Sequence, residues 1–575
     1  MAADLILTAS RIITMEVDAP IAQAVAVDTG QGTIVAVGSL ADCQAAAPGV
    51  APTDLGDSVL MPGFIEPHSH PILAGTFTQA PAHWIAPYLG YPSYADVQAL
   101  WRTLEEQTPA GQGLIFTGLD RMLQGAPELT NTDLDSFFPS RPVAVLDNSG
   151  HEVYFNSAVI TLNGWQDGKP PADPVGSSFG RNADGTSNGR AYETAAELQA
   201  VSKVLAQVGT NPLLTSARWY NFMAQYGITA TSDHAYKTTL LKSYEALASL
   251  PDVPLRIGVY HISTEPDAGD ALKSTVPQSR LWKQGIKLWA DGSPWVGTIA
   301  ASFPYLDTAV VQKAQIPLGP GGEQEMNYTR LQLDAVLDLH ADQGWQFSFH
   351  VNGDIGIDIV LDSYARSLQK YGLLGTDHRW RIEHVGAGRR DQFDRAAALG
   401  VNVSMSPFQF IYWGDLLDGQ LFDPAIGSQW ISAGDCFASG AVTTFNNDGP
   451  VSPPIPLLNI QCMVTRRTPS GQVHGINQTV SIDDAFRAHT INAAHQLGRE
   501  KDLGSIKVGK LADFVELSMD PFTAQIENLA DQVKVLGTWS GGRKTDAAAF
   551  LRQVEGVDPS EHQHLSLEPV KRTCC

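Results

Sequence analysis

Cysteine is scarce in this chain: five in 575 residues, namely Cys43, Cys436, Cys462, Cys574 and Cys575, with no metal-knuckle spacing among them. A disulfide framework is excluded, and the composition fits a reducing compartment, so the cytoplasm is the expected location. Positive charge is also short. Lys and Arg number 38 against 61 Asp and Glu, a formal net charge of −23. Such a surface repels nucleic acid and anionic membrane, and neither is expected as a partner. No apolar run approaches the roughly 20 residues needed to span a bilayer. The opening segment MAADLILTASRIITM lacks the charged and long apolar regions of a signal peptide and reads instead as a first strand. The Cys574-Cys575 pair resembles a prenylation tail, but only Lys571 and Arg572 precede it as basic residues, so it reads as a disordered end.

What is present is ample hydrophobic material. At 43% hydrophobic and 17% charged, the chain can bury a large core in two or three folding units. Nothing in the composition excludes a homo-oligomer. From about Tyr220 to Asp448 the pattern strand, loop, helix repeats. Candidate strands are GITATSD (227–233), LRIGVYHI (255–262), IKLWADG (286–292), WQFSFHV (345–351), RWRIEHV (379–385), VNVSMSP (401–407) and AVTTFNND (441–448). Helices are expected over about 327–343, with Asn327 as cap and Leu331, Val336, Leu337 and His340 on its apolar face, then over 354–371 and 391–399. Gly344, Gly372 and Gly400 close them. With MPGFIEPHSHP (61–71) as the first, eight strands alternate with helices. The fold class expected is α/β: a (β/α)8 TIM barrel whose active site lies at the carboxyl ends of its strands.

The segment 72–213 breaks the series and reads as an insertion after the first strand, with strands of its own at Leu114–Leu119 and Pro142–Asp147 and loops rich in Gly, Pro, Asn and Asp. The barrel is thereby assigned to 61–71 and 214–499. Residues 1–60 and 500–550 are assigned to a small β-sandwich built from both termini, in which GSIKVGKLADFVEL and VKVLGTWSGGRK each read as a strand pair. Residues 551–575 are left as a tail.

Chemistry gathers at the strand ends. His68 and His70, one residue apart, point to the same side of a strand and present two imidazoles to one point. Pro71 cannot continue a ladder, so the pair belongs where the strand stops. Lys287 lies on the fourth strand, His350 ends the fifth, His384 the sixth and Asp448 the eighth. A single histidine at a strand end is ordinarily a hydrogen-bonded structural group, and Asp448 in NDGP alone would read as a turn cap. Five strands aiming such groups at one rim form a pattern that chance rarely produces.

The order His-x-His, Lys, His, His, Asp on eight strands resembles the amidohydrolase superfamily. The runs DNSGHEVYFNSAVI (147–160), YGITATSD, IKLWADGS, FHVNGDIGID, RIEHVG and NNDGPVSP narrow the resemblance to amidohydrolase family 3, which includes YtcJ-like proteins and N-substituted formamide deformylases. The resemblance implies a hydrolase that attacks a carbonyl C–N bond with a metal-activated hydroxide. It implies that His68 and His70 bind one divalent ion and His350 and His384 a second. Lys287, carboxylated by CO2, bridges both, and Asp448 binds metal and shuttles the proton. Zinc is the usual ion, with Mn, Co or Fe as substitutes. Imidazole and carboxylate suit such an ion, and a buried lysine has the lowered pKa that lets a neutral amine take up CO2. His151 and His234 are expected as further catalytic groups, although for each, as for Glu193, a structural hydrogen bond explains the residue as well. The partner implied is a small-molecule substrate. Ester, lactone or carbamate hydrolysis on the same site is the alternative, and a non-catalytic binding barrel is the reading from another class.

Overall fold

The computed structural model describes residues 3–209 and 211–557. The terminal Cys574-Cys575 pair lies outside the described residues. The centre is one sheet of eight parallel strands: β1 (Phe64–Ser69), β2 (Ile228–Tyr236), β3 (Arg256–Ile262), β4 (Leu281–Trp289), β5 (Gln346–Val351), β6 (Arg381–His384), β7 (Asn402–Met405) and β8 (Thr443–Phe445). Each pairs with its neighbour in sequence order. Almost every residue of these strands is buried, as expected when a parallel sheet is covered on both faces. The seam between β8 and β1 is closed by polar groups. Asn447 donates from its backbone N–H to Glu66 Oε1 at 2.9 Å and from Nδ2 to Oε2 at 2.7 Å, and the His70 N–H donates to the Gly449 carbonyl at 2.9 Å.

All eight expected strands are present, with local differences. Met61 and Pro62 belong to a separate strand, Val59–Pro62, of another sheet, and the barrel strand begins at Phe64. Gly63 between them is required by packing: a Cβ there would lie 2.1 Å from Thr229 Oγ1. Pro71 is the first residue of the helix Pro71–Thr78, which turns the chain away just after His70. The helix expected from Asn327 runs over Arg330–His340 and is capped by Thr329 through a capping box with Gln332. Asn327 instead donates to the Trp289 and Asp291 carbonyls. Leu331 is exposed, and the buried stripe is Leu333, Leu337 and His340, which at helical spacing lie on the face opposite Leu331.

The two ends of the chain meet in one eight-stranded sheet. Its order along the main path is Arg543–Lys544, Val535–Ser540, Phe514–Leu517, Val59–Pro62, Leu5–Ile13, Ile21–Asp28 and Thr33–Gly38, with Thr53–Asp54 beside Leu5–Ile13. Of the pair expected in GSIKVGKLADFVEL only Phe514–Leu517 is a strand, while residues 504–511 turn around Gly509 at positive φ. This sheet is tied to the amino-terminal end of the barrel. Arg256 at the start of β3 grips Asp513 with two guanidinium nitrogens, and the Gly63 N–H donates to the Asp513 carbonyl at 3.0 Å. Residues 551–555, expected in a tail, complete the helix Ala547–Glu555, whose Phe550 stacks on Tyr220. The inserted segment forms a six-stranded sheet of its own, and its helix Thr194–Val208 packs against that sheet.

Candidate active site

The carboxyl ends of the strands bring the expected residues together. His68, His70, His151, His350, His384 and Asp448 line one cavity with about 100 Å3 of open space. Lys287 lies fully buried beneath it, with Nζ 3.1 Å from His68 Nε2. Register explains the convergence. Trp289 on β4 stands beside His350 on β5, and Val351 stands beside His384 on β6, so the rim residues step around the barrel.

Three of the strand-end imidazoles, those of His68, His350 and His384, are oriented by a bond on their far side. His68 Nδ1 donates to Glu383 Oε2 at 2.6 Å, which leaves Nε2 facing the cavity, 3.4 Å from Asp448 Oδ1. Glu383 is gripped in turn by two nitrogens of Arg381. Burial alone would raise the Glu383 pKa, but Arg381, joined by His234 and Lys287, reverses the shift and keeps the carboxyl ionised. His384 Nδ1 pairs with Ser406 Oγ at 2.8 Å, and its Nε2 is buried without a hydrogen-bond partner. His350 Nε2 bonds the Gly292 carbonyl at 3.0 Å, so Nδ1 is its free nitrogen. His70 Nε2 is 3.2 Å from Asp448 Oδ1, and that oxygen makes no hydrogen bond of its own.

Burial first, then the Lys287 charge, holds His68 well below the usual imidazole range; burial, joined by neighbouring histidines, does the same for His350 and His384. All three are neutral at pH 7 and keep a lone pair for a cation. Burial pulls His70 down too, but Asp233 and Asp448 reverse the shift. Burial brings Lys287 down to about 8, so a fraction of neutral amine exists near neutral pH. One donor atom each from His68, His384 and Asp448 lies within 4.8 Å of the others. Neutral nitrogens and an unpaired carboxylate oxygen, oriented from behind, form a donor set that fits a divalent ion of borderline softness. The group His68, His234 and Glu383 is equally compact, but there the donors already bond one another, Ser348 and Arg381.

His151 reaches the cavity from the insertion. Its Nδ1 donates to Glu193 Oε1 at 2.9 Å, and its ring lies 4.8 Å from that of His350. Burial lowers the His151 pKa, but Glu193, joined by Asp448 and Asp291, more than offsets this and the net shift is upward. His234 is the exception to the expected set. It does not line the cavity. It stacks under His68 at 3.8 Å and over Tyr260 at 4.1 Å, with Nδ1 at Ser348 and Nε2 at Ser232 and the Pro67 carbonyl. The strand continues past His234 to Tyr236, which keeps this residue inside the barrel. Of the aromatic residues after strand ends, Trp289 lines the cavity, while Trp295, Tyr305, Phe408, Phe410 and Trp413 are buried in the core.

Sequence reasoning passed over Glu383, Asp233 and Glu197. Glu383 immediately precedes His384 in RIEHVG, and its inward direction follows from lying two residues after Arg381 on one strand.

An eight-stranded parallel barrel with polar groups converging on its carboxyl rim has the build of a barrel enzyme. The family model described as "Amidohydrolase family" matches residues 53–545; the chain belongs to that family and is a hydrolase of C–N bonds. It is 26% identical over 573 residues to the N-substituted formamide deformylase of Arthrobacter pascens, covering 94% of this chain and 97% of that protein. Among solved structures, an uncharacterised metal-dependent hydrolase from Pyrococcus horikoshii OT3 superposes with a TM-score of 0.68 at 19% identity, covering 91% of this chain and 98% of the other. One from Pyrococcus furiosus gives 0.63 at 20% identity, covering 90% and 99%.

Proposed function

We propose that this protein hydrolyses the carbonyl C–N bond of small amides, N-substituted formamides foremost, and that His68, His70, Lys287, His350, His384 and Asp448 hold one or two divalent ions, zinc first among them. The observation that carries the reading is that His384 Nε2 and Asp448 Oδ1 are buried and make no hydrogen bond at the point where five strands converge. Buried polar atoms are costly to leave unsatisfied, and a cation would satisfy both. Lys287 would join as its carbamate: burial supplies the neutral amine, and CO2 supplies the anionic oxygens. The bound ions would supply a Lewis acid and an acidified water.

The chain's own groups do the rest. Asp448 Oδ1, free of hydrogen bonds, accepts the proton of the attacking water and passes it to the leaving nitrogen. His151, held by Glu193, donates toward the carbonyl oxygen as negative charge grows there. His234 supports the His68 ring from below. The helix Pro71–Thr78 and the insertion wall the cavity with Leu73, Phe77, Leu146, Leu198 and Val201, which limits water and favours an apolar substituent. Among the described residues no helix is long and apolar enough to cross a membrane. We place the protein in the cytoplasm on the strength of its buried free thiols Cys43, Cys436 and Cys462.

The test pairs metal removal with matched substrates. Dialysis against EDTA should abolish hydrolysis of an N-alkylformamide, and Zn2+, Mn2+ or Co2+ should restore it. The ester of the same acyl group should turn over more slowly if the site is built for amides. Replacing Lys287 with Ala should lower metal stoichiometry, and added short carboxylic acids should restore part of it. Unchanged metal content in the Lys287→Ala protein would reject the bridge.

A further inference from the structure

The cavity holds one polar group that the proposed reaction does not use. Glu197 lies in the first turn of the helix Thr194–Val208 and is 7% exposed. Thr194, Glu197, Leu198 and Val201 recur at i, i+3, i+4 and i+7 and all line the cavity. Three of these suit an apolar wall, but the fourth is a carboxyl. Among the described residues it has no hydrogen bond and no ion pair, and its Oε1 is fully enclosed. No lysine or arginine lines the cavity. The acidic neighbours Glu193, Glu152 and Asp147 add to burial in pushing the Glu197 pKa well above the usual carboxylate range. An unpartnered carboxyl in an apolar wall destabilises the fold, and a leucine would fill the same stripe without that cost. Groups kept at such a cost are characteristic of sites that meet a ligand.

We propose that Glu197 is a specificity-determining residue that selects amides whose apolar substituent carries a hydrogen-bond donor, hydroxyl or ammonium, and rejects substituents ending in carboxylate. The assignment rests on the amide-hydrolase reading above. With no lysine or arginine in the wall and acidic neighbours around it, a donor is the group that satisfies this carboxyl. An incoming carboxylate at this wall would instead lie beside the acidic neighbours Glu193, Glu152 and Asp147, with no lysine or arginine in the lining to pair with it. An ammonium substituent would ionise Glu197 on binding and release one proton to solvent. A hydroxyl would bind without proton release.

The test uses the metal-replete full chain and four N-formyl amines with four-carbon substituents, derived from butylamine, 4-aminobutanol, 1,4-diaminobutane and 4-aminobutyrate. The wild type should prefer the hydroxyl or ammonium compound over the butyl compound by about tenfold in kcat/KM, the scale of one buried hydrogen bond. The 4-aminobutyrate compound should be the poorest. Glu197→Leu should reverse the preference for donor over butyl, chiefly through KM, and should raise the Tm. Glu197→Gln should keep the hydroxyl preference and lose the ammonium one. Calorimetry in buffers of different ionisation enthalpy separates the two donors by proton release. The same ranking in wild type and Glu197→Leu, or a lower Tm in Glu197→Leu, would overturn the assignment. Should none of the four formamides turn over, the amide reading fails on its own, and calorimetric binding of the same compounds still decides whether Glu197 selects donors.

Discussion

At the scale of single residues the site combines strain with unsatisfied polarity. His384, Asp448 and Glu193 all have positive φ, at 71°, 49° and 65°, which L side chains rarely adopt. Such conformations cost of order 1–3 kcal/mol each and persist where surrounding structure imposes them. The strain at Asp448 aims its carboxylate at the imidazoles of His68 and His70, and the strain at Glu193 opens the helix that carries Glu197. Asp448→Asn keeps the shape and removes the proton acceptor. It should lower kcat by about 10²–10⁴-fold while retaining part of the metal, as read by steady-state kinetics with metal analysis on one sample. Activity within a factor of a few of wild type would remove Asp448 from the proton path.

Elements matter here because the last three barrel strands are short and buried on both sides. β6 and β7 have four residues each and β8 three, so the placement of a ligand depends on packing around the strand more than on the strand itself. β1 is set by Gly63, whose missing side chain lets the chain pass against Thr229 as it leaves the terminal sheet for the barrel. Gly63→Ala should therefore cost about 1–3 kcal/mol by overpacking and lower activity as well, since β1 carries His68. Urea unfolding checks the first effect. Combining it with Thr229→Ala should recover part of the loss, and a Gly63→Ala protein as stable as wild type would show that β1 has room to shift.

For the whole molecule, the terminal sheet secures the amino-terminal end of the barrel while the insertion covers the carboxyl end, where the cavity lies. His489 is part of that frame. It is fully buried, its Nε2 accepts from Asn459 Nδ2 at 3.2 Å, and its backbone carbonyl accepts from the Ile65 N–H at 2.7 Å. Burial lowers its pKa from 6.5 to about 3. The folded state thus binds fewer protons than the unfolded chain between those values. The stability that depends on neutral His489 is complete above pH 6.5 and declines as pH falls toward 3. A His489→Gln protein should show a smaller drop in Tm between pH 7.5 and pH 5 than wild type, measured by calorimetry in matched buffers. An identical drop would assign the acid sensitivity to other groups.

Much of this was legible in the chain alone, for local reasons. Buried parallel strands are apolar throughout, glycines stop the helices, and His-x-His before proline marks a strand end by geometry that needs no partner. The convergence of the candidate ligands on one rim was legible because each stands in or just past a barrel strand. Where the reading failed, the deciding contact came from far away in sequence. His234 looked like a rim residue until His68 and Tyr260 enclosed it, and Asn327 looked like a cap until the Trp289 and Asp291 carbonyls claimed it. Glu383 and Glu197 are ordinary acidic residues in the string of letters. Only tertiary packing decides that one is clamped by Arg381 behind His68 and that the other faces a cavity with nothing to bond, because burial and the absence of a partner are properties of the surroundings.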